Sequence, residues 1–342
     1  MAGNFRDLRL RCRFLFHPPS LSPFLSMGFC DFQPQKRCLE TLAYEEIRAS
    51  EKEEENVPSQ STALVLHGLL GSARNWRSFS RSLLSKIADS SSSTEWKMVL
   101  VDLRNHGRSA EIEGLDPPHD MVNAARDLAN LVKFRGWSWP DVVIGHSMGG
   151  KVALQFAESC ARGDYGESAA LPKQLWVLDS VVGEVNPDDS DGEVEKVLKT
   201  LQSLPSSLPS RKWLVDHMME LGFSKSLSEW IGSNLKKSDG HLTWAFNLQG
   251  AVEMFDSYRE KSYWPLLEHP PEGLEISVVR AEGSDRWTPQ VLQRLEGLAG
   301  KKHGSGKGKF LYRVLPNSGH WVHVDNPKGL LEIITPDIIS IG

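Results

Sequence analysis

Ser147 is the residue whose surroundings are best suited to nucleophilic chemistry. It stands at the centre of Gly-His-Ser-Met-Gly at 145–149, which fits the pattern G-x-S-x-G. An apolar, β-branched run at 141–144 precedes the motif, and residues that favour a helix follow it. A serine on a sharp turn between a strand and a helix holds its hydroxyl outward, and the helix N-terminus favours negative charge there. The pattern therefore predicts a nucleophilic serine.

His320 is the residue best placed to activate this serine. A hydroxyl is a weak nucleophile near neutral pH, so it needs an imidazole to accept its proton. His320 follows the last apolar run of the chain in an Asn-Ser-Gly-His turn. His323 lies at the predicted start of the closing helix, which makes it a weaker candidate. His106 is interpreted as a structural turn residue, because a better base lies downstream.

Three carboxylates could orient the imidazole. Asp285 lies in the loop that follows the apolar run at 274–279, and it is the preferred acid. Glu282 lies three residues earlier in the same loop and could replace it. Asp179 directly follows the apolar run at 175–178 and is a third possibility. All three positions come just past the end of a predicted strand, so the choice stays open.

Two backbone N–H groups are candidates for stabilising an oxyanion. The apolar run at 62–66 leads directly into His-Gly-Leu-Leu-Gly at 67–71. We expect the N–H of Leu69 to donate from this turn and the N–H of Met148 to donate from the residue after the serine. A pair of donors beside a nucleophilic serine is typical of acyl transfer.

The elements that must position these residues alternate in type along the chain. Short apolar runs are separated by segments with helical periodicity. The runs lie at 39–47, 62–66, 97–101, 141–144, 175–178, 274–279 and 310–314. This alternation predicts an α/β fold with a mostly parallel central sheet and helices on both faces. The candidate side chains would then meet at the carboxyl edge of the sheet.

Residues 183–263 break this alternation. They contain charged helical stretches, Ser, Pro and Gly breaks, and recurring aromatic and methionine residues, but no buried apolar strand. We interpret them as a helical cap inserted after the sixth strand, with part of its apolar surface lining a pocket. The core would then be divided into a first part at 38–182 and a second part at 264–342.

Composition limits the classes of partner. The chain has 342 residues, of which 40% are hydrophobic and 24% charged, and its net charge is −5. That balance does not indicate nucleic-acid binding. The chain contains no run of about 18 apolar residues, so the sequence does not predict a transmembrane helix. The four cysteines have neither a disulfide framework nor metal-binding spacing, and we expect no metal and no organic cofactor.

Residues 1–37 differ from the rest of the chain. They contain six basic residues and two acidic ones, a balance of +4. An arginine-rich, acid-poor composition is typical of organellar transit peptides. We expect a mitochondrial or chloroplast protein. The alternative is a disordered extension without a targeting role on a cytoplasmic protein.

Four segments carry a resemblance to a known family. They are HGLLGS at 67–72, DLRNHGRS at 102–109, GHSMGGK at 145–151 and NSGHWVH at 317–323. Over about residues 40–342 the chain resembles the α/β-hydrolase superfamily. Within it, the chain is similar to abhydrolase domain-containing proteins of the mitochondrial type (the eleventh in the mammalian naming series) and to related bacterial esterases. The resemblance implies carboxylic-ester hydrolysis, with Ser147 and His320 as nucleophile and base.

The expected activity is therefore hydrolysis of small or lipid-like acyl esters through an acyl-enzyme. The aromatic cap favours a small-molecule ester with an apolar acyl chain as the substrate. Thioester, amide or carbon–carbon cleavage by the same residues is an alternative. A ligand-binding or partner-stabilising protein with slow hydrolysis, and with a protein partner in an organelle, is another.

Overall fold

A seven-stranded sheet positions all the candidate residues. The computed structural model describes residues 41–48, 60–90, 94–186, 192–238, 240–300 and 308–341. The predicted targeting segment at 1–37 lies outside the described residues.

The strands of the sheet are β1 (Tyr44–Arg48), β2 (Gln60–Leu66), β3 (Glu95–Val101), β4 (Val142–His146), β5 (Gln174–Leu178), β8 (Glu275–Ala281) and β9 (Lys309–Leu315). Their order across the sheet is β1-β3-β2-β4-β5-β8-β9. β1 pairs antiparallel to β3, and the other neighbours pair parallel. The predicted mostly parallel sheet is confirmed, and its central strands begin and end within a few residues of the apolar runs.

Helices cover both faces of this sheet. Those of the core are α1 (Arg77–Ser90), α2 (Met121–Arg135), α3 (Met148–Arg162), α8 (Trp264–Glu268), α9 (Pro289–Ala299), α10 (Val322–Asp325) and α11 (Pro327–Ile339). α2 shows how local sequence defines the ends of a helix. The Asp120 side chain accepts from the N–H of Asn123, and Gly136 ends the helix in a left-handed conformation. None of the helices in the described ranges has both the length and the apolar content that crossing a bilayer requires.

The sheet separates two apolar cores. Successive residues of a strand point to opposite faces, so Leu64 packs into one core and Val65 into the other. The first core includes the apolar sides of α2, α3 and the inserted cap, and the second includes those of α1 and α11. Burial on both faces explains why the central strands are continuously apolar.

The cap lies between β5 and α8, so it follows the fifth strand among the described residues. It contains α4 (Gly192–Ser203), α5 (Arg211–Glu220), α6 (Lys225–Gly232), β6 (Leu235–Ser238), β7 (His241–Trp244) and α7 (Leu248–Glu260). Four of these six elements are helices, and β6 and β7, which the sequence did not predict, pair as an antiparallel hairpin. Their residues are half-buried or exposed, so no apolar run marks them. The Asp-Gly dipeptide at 239–240 was the available hairpin signal.

Candidate active site

Ser147 occupies a strained turn between β4 and α3. Its backbone has φ 52° and ψ −123°, a conformation that residues other than glycine rarely adopt. Glycines allow the turn to pack closely. A Cβ atom on Gly145 would lie 2.2 Å from the carbonyl oxygen of Gly149, and one on Gly149 would lie 2.5 Å from the carbonyl oxygen of His67. The motif therefore forms the predicted strand–turn–helix, with Ser147 beside the cavity described below.

His320 is paired with Asp179. The imidazole Nδ1 lies 2.7 Å from carboxylate Oδ2, and Asp179 is only 1% exposed. The other carboxylate oxygen, Oδ1, accepts from the N–H of Ala281 at 3.0 Å and from Nε1 of Trp287 at 2.7 Å. Burial raises the pKa of Asp179, but the hydrogen bonds from His320, Trp287 and Ala281 outweigh it and leave the pKa below its ordinary value. The carboxylate is therefore ionised at neutral pH.

The prediction that Asp285 contacts His320 is wrong in this structure. Asp285 is exposed, whereas Trp287 from the same loop turns inward to Asp179. Glu282 is also exposed, and its carboxylate accepts from the N–H of Asn317 at 3.0 Å. The physical reason lies in the path of the loop after β8, which directs its carboxylates outward and its indole inward. Of the three candidates, the structure brings only Asp179 to His320.

The turn at 67–71 lies against the turn that carries Ser147. A Cβ atom on Gly68 would be 3.1 Å from Cβ of Ser147. His67 holds the turn from inside: Nδ1 donates to the carbonyl of Gly68 at 2.8 Å, and Nε2 accepts from the N–H of Leu103 at 3.0 Å. Burial lowers the pKa of His67, so it stays neutral. Leu69 and Met148 lie beside the same cavity as Ser147, and their role as donors stays a prediction.

A cavity of about 450 Å³ contains both Ser147 and His320 in its lining. Its volume falls within the ordinary range for small-molecule sites. Three cap helices supply apolar side chains to the lining. These are Val194 and Val197 of α4, Leu227 and Trp230 of α6, and Phe255 and Tyr258 of α7. Charged residues in the lining are Glu193, Arg286 and Asp325. The cavity therefore combines polar side chains around Ser147 and His320 with a largely apolar cap wall.

Sequence reasoning missed the role of His146. Its ring lies 4.7 Å from that of His320, and its Nε2 donates to the carbonyl oxygen of His320 at 2.8 Å. Burial and the neighbouring histidines hold the pKa of His146 well below its usual value. His146 is thus a neutral donor that fixes the backbone of His320. The motif position alone could not reveal this contact, which joins residues 174 positions apart.

The Arg-Asn-His turn at 104–106 has a supporting role. Arg104 makes a buried bidentate pair with Asp127, at 2.7 and 3.1 Å. His106 is buried, and its Nδ1 donates to the carbonyl of Arg104 at 2.8 Å. Burial lowers the pKa of His106 to about 3, so it remains neutral. The carbonyl of Asn105 accepts from the N–H of Asn247 at 2.8 Å, which joins the turn to the start of α7 in the cap.

His323 provides a testable pH dependence of stability. It stacks on Trp76 with ring centroids 4.1 Å apart, and burial lowers its pKa to about 4. Below about pH 6.5 the unfolded chain binds a proton here that the folded chain binds only near pH 4, so this contribution to stability falls as the pH falls. We expect the unfolding free energy of His323→Phe to fall less between pH 7.5 and 5 than that of the wild type, by about 2 kcal/mol. Urea denaturation at both pH values measures this difference.

The matched control for this prediction is His217→Phe. His217 stacks on Trp213 in α5 of the cap and does not line the cavity. This substitution is expected to leave the difference between the two pH values unchanged. An equal loss of stability in wild type and His323→Phe would show that His323 is not held neutral in the folded protein.

The described part of the chain contains no group of three or more His, Cys, Asp or Glu that could hold a metal ion. Burial raises the pKa of the Cys160 thiol to about 12, which keeps it protonated and unreactive.

Comparisons with known proteins agree with this architecture. A model of the alpha/beta hydrolase family matches residues 63–333. The sn-1-specific diacylglycerol lipase ABHD11 of Danio rerio is 27% identical over 283 residues, covering 80% of this chain and 77% of that protein. Its Mus musculus counterpart is 25% identical over 275 residues, covering 80% and 79%. The solved structure of a marine microorganism esterase has a TM-score of 0.63 at 22% identity, covers 86% of this chain and 97% of that one, and shows the same fold.

Proposed function

The chain belongs to the alpha/beta hydrolase family, and on that premise we propose that it hydrolyses small or lipid-like acyl esters of carboxylic acids. The observation that carries this proposal is the arrangement around the cavity. Ser147 lies on a strained turn there. His320 lines the same cavity, and its Nδ1 is hydrogen-bonded to Asp179. The diacylglycerol lipase relatives support an ester substrate with an apolar acyl chain.

In the proposed reaction, His320 accepts the proton of Ser147 as the hydroxyl oxygen attacks the ester carbonyl. Asp179 holds the proton on Nδ1, which leaves Nε2 free to act as the base. The same carboxylate stabilises the imidazolium that forms. His146 assists by holding the carbonyl of His320. This division of roles explains why the acid must be buried and ionised.

The negative charge that develops on the carbonyl oxygen would be stabilised by the N–H groups of Leu69 and Met148. Met148 is the first residue of α3, so the positive end of the helix dipole adds to its N–H. Each such donor typically contributes ~10²–10³ in turnover. His320 then returns the proton to the departing alcohol, which leaves Ser147 acylated. A water molecule, deprotonated by His320, releases the acid and restores the serine.

Two alternatives share this geometry. Thioesters, amides and activated carbon–carbon bonds can be cleaved by the same three residues, and comparative kcat/KM values would rank them. A ligand-binding or partner-stabilising protein would retain the cavity with slow turnover, and a protein partner stays a prediction. Mitochondrial or chloroplast location stays a prediction as well, because the targeting segment lies outside the described residues.

The pH dependence of ester hydrolysis tests the proposal. We expect wild-type kcat/KM on p-nitrophenyl esters to fall with unit slope on the acid side as His320 is protonated. We expect the rate to depend on a single protonation between about pH 5 and 9. The pKa values of Asp179, His146 and His323 all lie below their ordinary values, so these three groups should not add a second protonation to the profile. Initial rates across acetate, butanoate, octanoate and dodecanoate esters provide the profile and the preferred chain length. Absence of turnover by the folded protein on every ester would contradict an esterase.

A further inference from the structure

Lys151 is a buried cation on the helix that follows the nucleophile. It is the fourth residue of α3, one turn from Ser147, and its side chain is 0% exposed. A buried ammonium is costly unless hydrogen-bond partners replace the water it loses. Its partners therefore define its role.

The ammonium of Lys151 donates to three carbonyl oxygens of the cap. Nζ lies 2.6 Å from the carbonyl oxygen of Gly183 and 2.7 Å from that of Lys261, and it also donates to the carbonyl of Tyr258. Three carbonyls match the three hydrogens of an ammonium. Nζ also lies 4.3 Å from the ring centroid of Tyr258. Tyr258 and Lys261 stand at the C-terminal end of α7, where carbonyls lack helical partners and a cation is favourable.

These carbonyls belong to both chain segments that connect the cap with the core. We call residues 182–185 and 258–263 the neck. The two segments are joined to each other, because the N–H of Val185 donates to the carbonyl of Arg259 and the N–H of Tyr263 donates to the carbonyl of Val182, both at 2.9 Å. One side chain of α3 thus binds the outgoing and the returning segment together.

A second contact lies one turn further along α3. The hydroxyl of Tyr263 donates to Oε1 of Gln155 at 3.0 Å, and Tyr263 is buried. Residues four apart lie on the same face of a helix, so Lys151 and Gln155 together place one face of α3 against the neck. The close packing extends to Gly183, where an added Cβ atom would lie 2.5 Å from Nε1 of Trp264.

We propose that Lys151 is a positioning residue that holds the neck of the cap on the nucleophile helix. α7 carries Phe255 and Tyr258, which line the cavity with Ser147. Because α3 begins at the proposed oxyanion donor Met148, the Lys151 contacts set the distance between the reaction centre and this part of the acyl wall. The inference rests on the proposed function in one respect, namely that the cavity holds the acyl chain of an ester.

Lys151→Met, compared with Lys97→Met, tests this role by activity. Lys97 is also buried, at 4% exposure, but it lies on β3 with Nζ 4.4 Å from the ring centroid of Trp137 and away from the neck. We expect Lys151→Met to lower kcat/KM for p-nitrophenyl octanoate about 10-fold, mainly through KM, and to lower that for the acetate less than about 3-fold. Lys97→Met should change both esters by the same factor. A common factor for both esters in Lys151→Met would overturn the inference.

Hydrogen exchange on the wild-type protein tests the neck without any variant and without activity. The amides of Val185 and Tyr263 are expected to exchange as slowly as those of β4, because a held neck opens only with global unfolding. Amides within α6 should exchange faster. Exchange of the neck amides at the rate of α6 would overturn the inference, even if Lys151→Met fails to fold. If the wild-type protein cleaved no ester but its neck amides exchanged slowly, the proposed function would be refuted and the inference about the neck would stand.

Discussion

Ser147→Ala is expected to reduce kcat for p-nitrophenyl ester hydrolysis by about 10⁵-fold, to the rate that the oxyanion donors and substrate binding alone support. The substitution removes the oxygen atom that the proposed reaction acylates. The backbone turn and the His320–Asp179 pair remain, so residual catalysis by the oxyanion donors alone stays small. Initial rates of purified protein, with urea denaturation to show an unchanged fold, measure the effect.

Ser284→Ala is the matched control for this substitution. Ser284 lies in the loop after β8, its hydroxyl has no hydrogen-bond partner among the described residues, and it does not line the cavity. Its replacement is expected to leave kcat within about 2-fold of wild type. If Ser147→Ala retained a tenth or more of the wild-type rate, another nucleophile would have to be responsible.

Asp179→Asn is expected to lower kcat/KM by about 10³–10⁴-fold. The asparagine amide can donate to Nδ1 of His320, which would move the imidazole proton to Nε2 and prevent it from accepting the proton of Ser147. The backbone N–H of Ala281 and the indole of Trp287 can still donate to the amide oxygen, so we expect the variant to fold. Initial rates over a pH series, with circular dichroism as the folding check, provide the comparison.

Asp285→Asn is the informative partner of this variant. Because Asp285 is exposed and His320 is held by Asp179, its replacement is expected to change kcat/KM by less than about 2-fold. A large loss with Asp285→Asn and a small one with Asp179→Asn would reverse the assignment. In that case the loop after β8 would have to rearrange in solution.

Ser147 and Asp179 differ in how far the local sequence predicts their positions. Ser147 and its turn could be predicted because strand, glycines and helix are adjacent in the chain and act locally. Asp179 and Asp285 each follow a strand, so the local pattern does not separate them. What separates them is the tertiary path of one loop, which brings Trp287 onto Asp179 and leaves Asp285 exposed.

Two further features depend on contacts that the chain does not display locally. His146 acts on the carbonyl of His320, and nothing in G-x-S-x-G specifies that partner. The Lys151 ammonium joins α3 to the neck. Its contacts there, Gly183 and Tyr258, are 75 residues apart in the sequence (258 − 183). The cap hairpin was missed for a different reason, since its strands are largely exposed and carry polar residues.

Covalent trapping tests most directly whether Ser147 is a nucleophile activated by His320 and Asp179. The folded wild-type protein is incubated with a fluorophosphonate, and intact and peptide mass spectrometry locate the adduct. One adduct, on Ser147, with a labelling rate reduced about 10³-fold in Asp179→Asn and unchanged in Asp285→Asn, is the predicted result. No adduct on the folded protein would contradict the proposal and favour a binding protein, whereas an adduct on a different serine would show that another residue is the nucleophile.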